Sequence, residues 1–281
     1  MLKRILLLFI CVLSSSNAML AYAETEALKV NSATRIDTLK ILTYNVHHCN
    51  PPGKNIIDIP AIVNVIKNSK ASIVALQEID VNTSRSGKDL NEAEAIAKAC
   101  GMYFCFGKAL DFAGGGYGVA ILSKYPISDE KTTFLSKEAN PKKEQRVLLT
   151  AKVKISEKQT ILFASTHLDS EDENNRILQV NEIVKIADNS TMPFIIGGDF
   201  NSVPKSIPLE ALDKYFQRSC TECDPTVPQD MPKESIDFVA FPLKLAKKIK
   251  TISHTVINES YASDHRPVYV ELNIKNIKYR E

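Results

Sequence analysis

Six short apolar or β-rich runs, spread across the whole chain, each give way to a polar group capable of acid–base or ligand chemistry. Asn45 follows ILTY, Glu78 follows IVALQ, His167 follows ILFAST, and Asp199 and Asn201 follow FIIGG. Asp237 opens the run after Ser-Ile, and Asp264-His265 precede the run that begins at Val268. One such residue is ordinary. Six clusters restrict the fold to one that gathers strand ends from the entire length of the chain at a single rim, where a rigid scaffold can hold a site.

The β-rich runs are Leu39–Tyr44, Ile73–Leu76, Gly118–Leu122, Val147–Ile155, Ile161–Ser165, Phe194–Ile196, Ile236–Ala240 and Val268–Ile274. Helical patterns lie between them: Pro60–Lys67 behind an Asp58 cap, Glu92–Cys100 stopped by Gly101, and Glu173–Asp188. Strands interleaved with a few helices predict an α/β fold in which sheets pack together with helices outside. No Gly/Ser-rich or Pro-rich seam divides the 281 residues, so residues 39–275 are expected to form one domain behind a linker at 24–38.

Residues 1–23 have a different organisation. Lys3-Arg4 precede the apolar run Ile5–Leu13, and Ala21-Tyr22-Ala23 stand before Glu24, the plan of a cleaved secretory signal peptide. A cut after Ala18 is the alternative. The apolar run is shorter than the roughly 20 residues that span a bilayer, so an exported protein with no stable membrane span is expected. Of the 35 basic residues only Lys3 and Arg4 fall in this segment, which leaves 33 basic residues against 33 acidic ones in the remainder. A neutral balance argues against a protein that grips long nucleic acid, whose affinity comes from neutralising phosphates. Five of the six cysteines lie beyond residue 23, an odd number that leaves at least one thiol free; Cys220 and Cys223 are the pair placed for a loop disulfide.

The chemistry follows from residue type. Asn45, Glu78 and Asp264 offer hard oxygen donors suited to Mg²⁺ or Mn²⁺, with water completing the shell. His265 can take a proton from an attacking water if Asp237 holds its other ring nitrogen. Asp199 is the candidate to orient the nucleophile or protonate the leaving group, Asn201 to meet a phosphate oxygen, and His167 to donate to the same phosphoryl group.

TYNVHH, VALQEID, STHLDS, GGDFNSVP, SIDFV and SDHRPV occur in that order between Leu39 and Ile274, and together they resemble the endonuclease/exonuclease/phosphatase (DNase I-like) superfamily. The resemblance implies a four-layered α/β sandwich, two mixed β-sheets face to face with helices outside. It also implies Mg²⁺-dependent attack of water on a phosphoester. The stretch 106–127 looks most like small exported bacterial hydrolases and the globular domain of Cwh43-like proteins, which suggests Arg85, Tyr117 and Arg146 as substrate-binding residues. His47 stands where apurinic endonucleases have an acid, two residues after the motif asparagine. The expected protein is a monomeric phosphoesterase acting on a small or lipid-linked phosphoester, with a secreted nuclease as the alternative.

Overall fold

The computed structural model describes residues 36–275; the signal-peptide reading and most of the 24–38 linker therefore fall outside the described residues. Twelve strands form two six-stranded mixed sheets. In the first, the order is β11 (Lys250–Val256), β12 (Val268–Asn273), β1 (Thr38–Asn45), β2 (Ile73–Val81), β4 (Gly115–Ser123) and β3 (Tyr103–Phe112). In the second it is β5 (Ile127–Phe134), β6 (Val147–Ser156), β7 (Gln159–His167), β8 (Phe194–Asp199), β10 (Asp237–Pro242) and β9 (Phe216–Arg218). Only β1–β2 and β7–β8 are parallel. Each of these pairs is joined through a helix, as a parallel crossover requires.

Helices α1 (Ile59–Ser69) and α2 (Glu92–Cys100) cover the first sheet; α3 (Glu173–Asp188) and α4 (Ile207–Asp213) cover the second. Their starts are set by side chains that satisfy otherwise unpaired backbone N–H groups: Asp58 accepts from Ala61 N, Asn91 from Glu94 N and Asp172 from Asn175 N. Gly101 ends α2 in the left-handed region, at φ +63°.

The two-residue period of each strand divides its side chains between two cores. On β1, Leu39 and Ile41 face the opposite sheet while Leu42 and Tyr44 face the helices. Ile161 and Phe163 on β7, Ile195 on β8, and Val239 and Phe241 on β10 likewise fill the space between the sheets. Each large side chain fully buried there contributes about 1.5–3 kcal/mol. Extending these inner faces by two or four residues reaches Asn45, His167, Asp199 and Asp237. Those polar groups therefore continue the inter-sheet core at one end of the sandwich.

β2 departs from the expected boundaries. Its apolar run was read as stopping at Leu76, with Glu78 beyond the strand; β2 instead continues to Val81 through a bulge between Leu76 and Ile79. Glu78 sits in that bulge at φ +59°, a left-handed backbone that re-aims its side chain.

Gly197 lies on the inner face of β8, between Ile195 and Asp199. A Cβ placed there would stand 3.0 Å from Ala75 Cβ and 3.1 Å from Thr43 Cβ on the opposite sheet. The absent side chain lets the sheets approach just below the polar end. Gly197→Val is expected to cost about 1–3 kcal/mol by overpacking and to separate Asp199 from Asn45; thermal denaturation measures the first effect, and a wild-type melting temperature would refute it.

Candidate active site

Strand register brings the second sheet's contribution together. His167 pairs with Asp199 across β7–β8, and Asp237 pairs with Asp199 across β8–β10. Asp199 is buried at the centre. Its Oδ2 accepts from Asn45 Nδ2 at 3.1 Å and lies 3.5 Å from His167 Nε2 and 3.8 Å from His265 Nε2, while Oδ1 accepts from Asn201 N at 2.9 Å.

His265 Nδ1 lies 2.9 Å from Asp237 Oδ2, which also accepts from Thr226 Oγ1 at 2.6 Å. This contact fixes the ring and leaves Nε2 toward Asp199. Burial alone would lower the pKa of His265, but the Asp237 and Asp199 carboxylates outweigh it and raise the proton affinity of the ring. Burial and the neighbouring Asp237 charge likewise push Asp199 above the usual carboxylate range. His167 moves the other way: burial, then the Arg146 and His265 charges, hold it well below an ordinary histidine, so it is a neutral imidazole. Its buried Nδ1 has no hydrogen-bond partner among the described residues.

The first sheet supplies the remainder. Asn45 Nδ2 donates to Glu78 Oε1 at 3.0 Å as well as to Asp199, and Asn45 Oδ1 accepts from His47 N at 3.1 Å. Ser263 Oγ donates to Asn45 O at 2.7 Å and to Asp264 Oδ1 at 3.2 Å. Glu78 and Asp264 are half-buried, and no hydrogen bond among the described residues reaches Glu78 Oε2 or Asp264 Oδ2.

A divalent cation fits this donor set. Glu78 and Asp264, half-buried and each with one carboxylate oxygen to spare, are tied to opposite ends of Asn45, at its Nδ2 and, through Ser263, at its backbone carbonyl. Asn45, by contrast, points its nitrogen at the acids and its oxygen at His47, so here it ties two carboxylates together. Asp199, Asp237 and His265 also bring ligand-type atoms within 4.8 Å of one another. The proton-sharing distance between His265 and Asp237, together with the Thr226 bond, makes that trio primarily a hydrogen-bonded acid–base group.

The suggested substrate residues fall into two places. Arg146 is buried, donates to Ser170 Oγ at 3.3 Å and pairs with Glu144 at 3.3 Å. Its Nε has no hydrogen-bond partner among the described residues. With Tyr117 and His167 it lines a small cavity. Arg85 instead gives Nε and Nη2 to Asp80 at 2.9 and 2.8 Å. Its guanidinium lies 4.3 Å from the centre of the Phe112 ring and 5.8 Å from that of Tyr117. Asn201 Nδ2 donates to Leu168 O at 3.0 Å, so its amide braces the β7 and β8 ends against each other.

Sequence reading missed three contributors. Thr226 sits in a loop with no pattern to mark it. Ser263 belongs to the SDHRPV motif but received no role. Gln77 forms a polar layer below the site, accepting from Thr43 Oγ1 at 3.4 Å and donating to Ser165 Oγ at 3.2 Å.

Residues 42–265 match the model of the Endonuclease/Exonuclease/phosphatase family. The chain belongs to that family. Its members are hydrolases of phosphoester bonds. The chain is 23% identical over 251 residues to the uncharacterised Escherichia coli (strain K12) protein YbhP, covering 84% of this chain and 97% of YbhP. Two solved structures share its fold. The mannosyl-6-phosphatase Bt3783 of Bacteroides thetaiotaomicron VPI-5482 superposes with a TM-score of 0.64 at 18% identity, covering 83% of this chain and 99% of that one. The D. rerio TDP2 complexed with single-strand DNA product gives 0.64 at 16% identity, covering 85% and 100%.

The Arg85–Asp80 pair supports the wall beside Glu78. Burial raises the Asp80 pKa, but hydrogen bonds from Arg85, Ser86 and Thr83 pull it below its ordinary value. A depressed carboxyl stabilises the fold fully above its unfolded pKa and loses that contribution as pH falls through the folded value. Arg85→Ala is expected to cost about 2 kcal/mol, discounted for the partial exposure of the arginine, and to move acid unfolding to higher pH. Denaturation across pH 2–7 checks both; unaltered acid stability would show that Ser86 and Thr83 suffice.

Proposed function

We propose that this chain is an exported, Mg²⁺-dependent phosphoesterase that hydrolyses a small or lipid-linked phosphoester. The observation that carries the reading is the arrangement of His265 Nε2 and Asp199 Oδ2 3.8 Å apart, with His265 oriented by Asp237. A water oxygen can approach both atoms at once, and with Nδ1 held by Asp237 the ring can take at an unprotonated Nε2 the proton the water loses. Glu78 and Asp264 would hold the cation. When bound, it would offset charge on the phosphoryl group and on the leaving oxygen. Arg146 and neutral His167 beside the second sheet, and Tyr117 on β4 of the first, bind the phosphoryl oxygens. Asn45 keeps Glu78 in register with Asp199, so the two halves of the reaction share one geometry.

The substrate reading rests on charge. With 33 basic against 33 acidic residues beyond residue 23, the chain lacks the excess that supports long nucleic-acid binding. The mannosyl-6-phosphatase among the fold relatives is a precedent for a small phosphoester on this scaffold. Export is supported by the leader-like residues 1–23 and by the Cys220–Cys223 disulfide, since disulfides persist in oxidising compartments. No helix among the described residues is long and apolar enough to cross a membrane.

The test uses protein from residue 24 onward, stripped with EDTA and resupplied with Mg²⁺ or Mn²⁺. It is assayed on p-nitrophenyl phosphate, bis-p-nitrophenyl phosphate, phospholipid vesicles, plasmid DNA and RNA. Restored cleavage of synthetic or lipid phosphoesters with nucleic acid intact is the expected result; degradation of plasmid or RNA would make the enzyme a nuclease. His265→Ala should lower kcat by about 10²–10⁴-fold with the fold retained, and near-normal turnover would remove it from proton transfer. Glu78→Ala should weaken the metal dependence, and an unchanged metal titration would move the cation elsewhere.

A further inference from the structure

On the helix-covered side of the first sheet, α1 stands beside β11 and β12 and forms with them a cleft of about 760 Å³. That volume falls within the roughly 300–1,000 Å³ of ordinary ligand sites. Asn64, Val65 and Asn68 of α1 make one wall, Thr255 and Tyr269 the sheet side, and Ile257, Glu259, Tyr261 and Ala262 a connecting loop. None of the groups assigned to catalysis or to the cation lines it. Ala262 adjoins Ser263, which holds Asn45 and Asp264, so one end of the cleft lies next to the catalytic rim.

Charge limits what the cleft can take. Its lining carries two carboxylates, Asp58 and Glu259, and among the described residues no Lys, Arg or His. A phosphoester or any other anion would meet like charges with nothing to offset them. The cleft is therefore not an extension of the phosphoester site. Nor are the carboxylates laid out for a cation. Asp58 Oδ1 accepts from Ala61 N at 3.0 Å and Oδ2 from Tyr261 Oη at 3.0 Å. Glu259 Oε1 accepts from Tyr261 N at 2.7 Å and from Ala262 N at 3.1 Å. Of the four carboxylate oxygens only Glu259 Oε2 is left without a hydrogen bond among the described residues.

What stays open is neutral and offers both donors and acceptors. Asn64 and Asn68 lie one helical turn apart on the same face of α1, both exposed, and neither side-chain amide makes a hydrogen bond among the described residues. Each amide presents two N–H donors and a carbonyl acceptor. The Thr255 hydroxyl on the sheet side is likewise unengaged. Tyr261 is 46% exposed, yet it is held at both ends, by Asp58 at its hydroxyl and by Glu259 at its backbone N–H. An exposed ring fixed in this way is a preorganised apolar face. Sugars match such a surface, because every hydroxyl both donates and accepts while the ring carbons present C–H groups to an aromatic face.

We propose that this cleft is a second ligand site, separate from the catalytic one, that binds a neutral saccharide of on the order of two or three rings. It shares no residue with the phosphoesterase site.

The experiment titrates protein from residue 24 onward with maltotriose, mannotriose and chitotriose in a calorimeter, with spermidine as the cationic comparison. Wild type, Asn64→Ala, Asn68→Ala and His265→Ala are measured, and melting temperatures are recorded alongside. Alanine is the strongest helix former and both asparagines are exposed on α1, so the two alanine variants are expected to melt at or above the wild-type temperature. Saturable binding of at least one trisaccharide is expected, with Kd below about 10 mM. Asn64→Ala and Asn68→Ala should each weaken it about five- to tenfold, the loss of one hydrogen bond, and His265→Ala should leave it unchanged. No trisaccharide binding, or spermidine binding tighter than all three sugars, would overturn the proposal. So would sugar binding that survives both alanine variants or disappears in His265→Ala, which places the sugar elsewhere. A protein that binds a trisaccharide in this way and cleaves no phosphoester keeps this site and loses the proposed function; one that cleaves phosphoesters and binds no trisaccharide loses this inference alone.

Discussion

The packing of two sheets face to face sets the terms for everything else in this protein. Side chains on the facing surfaces have no access to water, so along most of the sandwich they are Leu39, Ile41, Phe163, Ile195 and their neighbours. Near one end the requirement relaxes in steps. Thr43, Gln77 and Ser165 satisfy one another by hydrogen bonds, and one residue pair further along the same faces lie Asn45, His167, Asp199 and Asp237. The site is rigid because it inherits its placement from strands whose lower halves are core. It is electrostatically potent for the same reason, since partial burial strengthens each charge on its neighbours.

Much of this was legible in the sequence. The helix boundaries at Glu92–Cys100 and Glu173–Asp188 agree residue for residue, because Gly101, Asn91 and Asp172 are strong local signals. The strands missed were β3, β5, β9 and β11, and these are the four edges of the two sheets. Edge strands carry polar and charged residues, as in ISDEKTTF of β5, which blunt them against further pairing and also erase the apolar pattern that identifies a strand. The short helix α4 was hidden by its seven-residue length and by Pro208 in its first turn.

At the site, residue types and their order were readable, but partners were not. Glu78 was expected beyond a strand end, and only the bulge shows how a residue in mid-strand reaches Asn45. Arg85 has the look of a free cation in sequence, yet its guanidinium is engaged by an acid five residues earlier. Asn201 is occupied by a backbone carbonyl from a different strand. Each of these depends on side-chain hydrogen bonds made by distant or irregular segments, for which composition and spacing carry no signal.

The position of β12 in the first sheet has a consequence for how the enzyme comes into being. It lies between β11 and β1, so a strand at residues 268–273 is inserted beside one at residues 38–45. Asp264 and His265 sit immediately ahead of it, in the loop that this insertion draws against Asn45. Without this insertion the site would lack His265, the proposed proton acceptor, and Asp264, a proposed cation ligand. Under the proposed function, the site is complete only once segments 218 residues apart in sequence, at Asn45 and Ser263, are in contact.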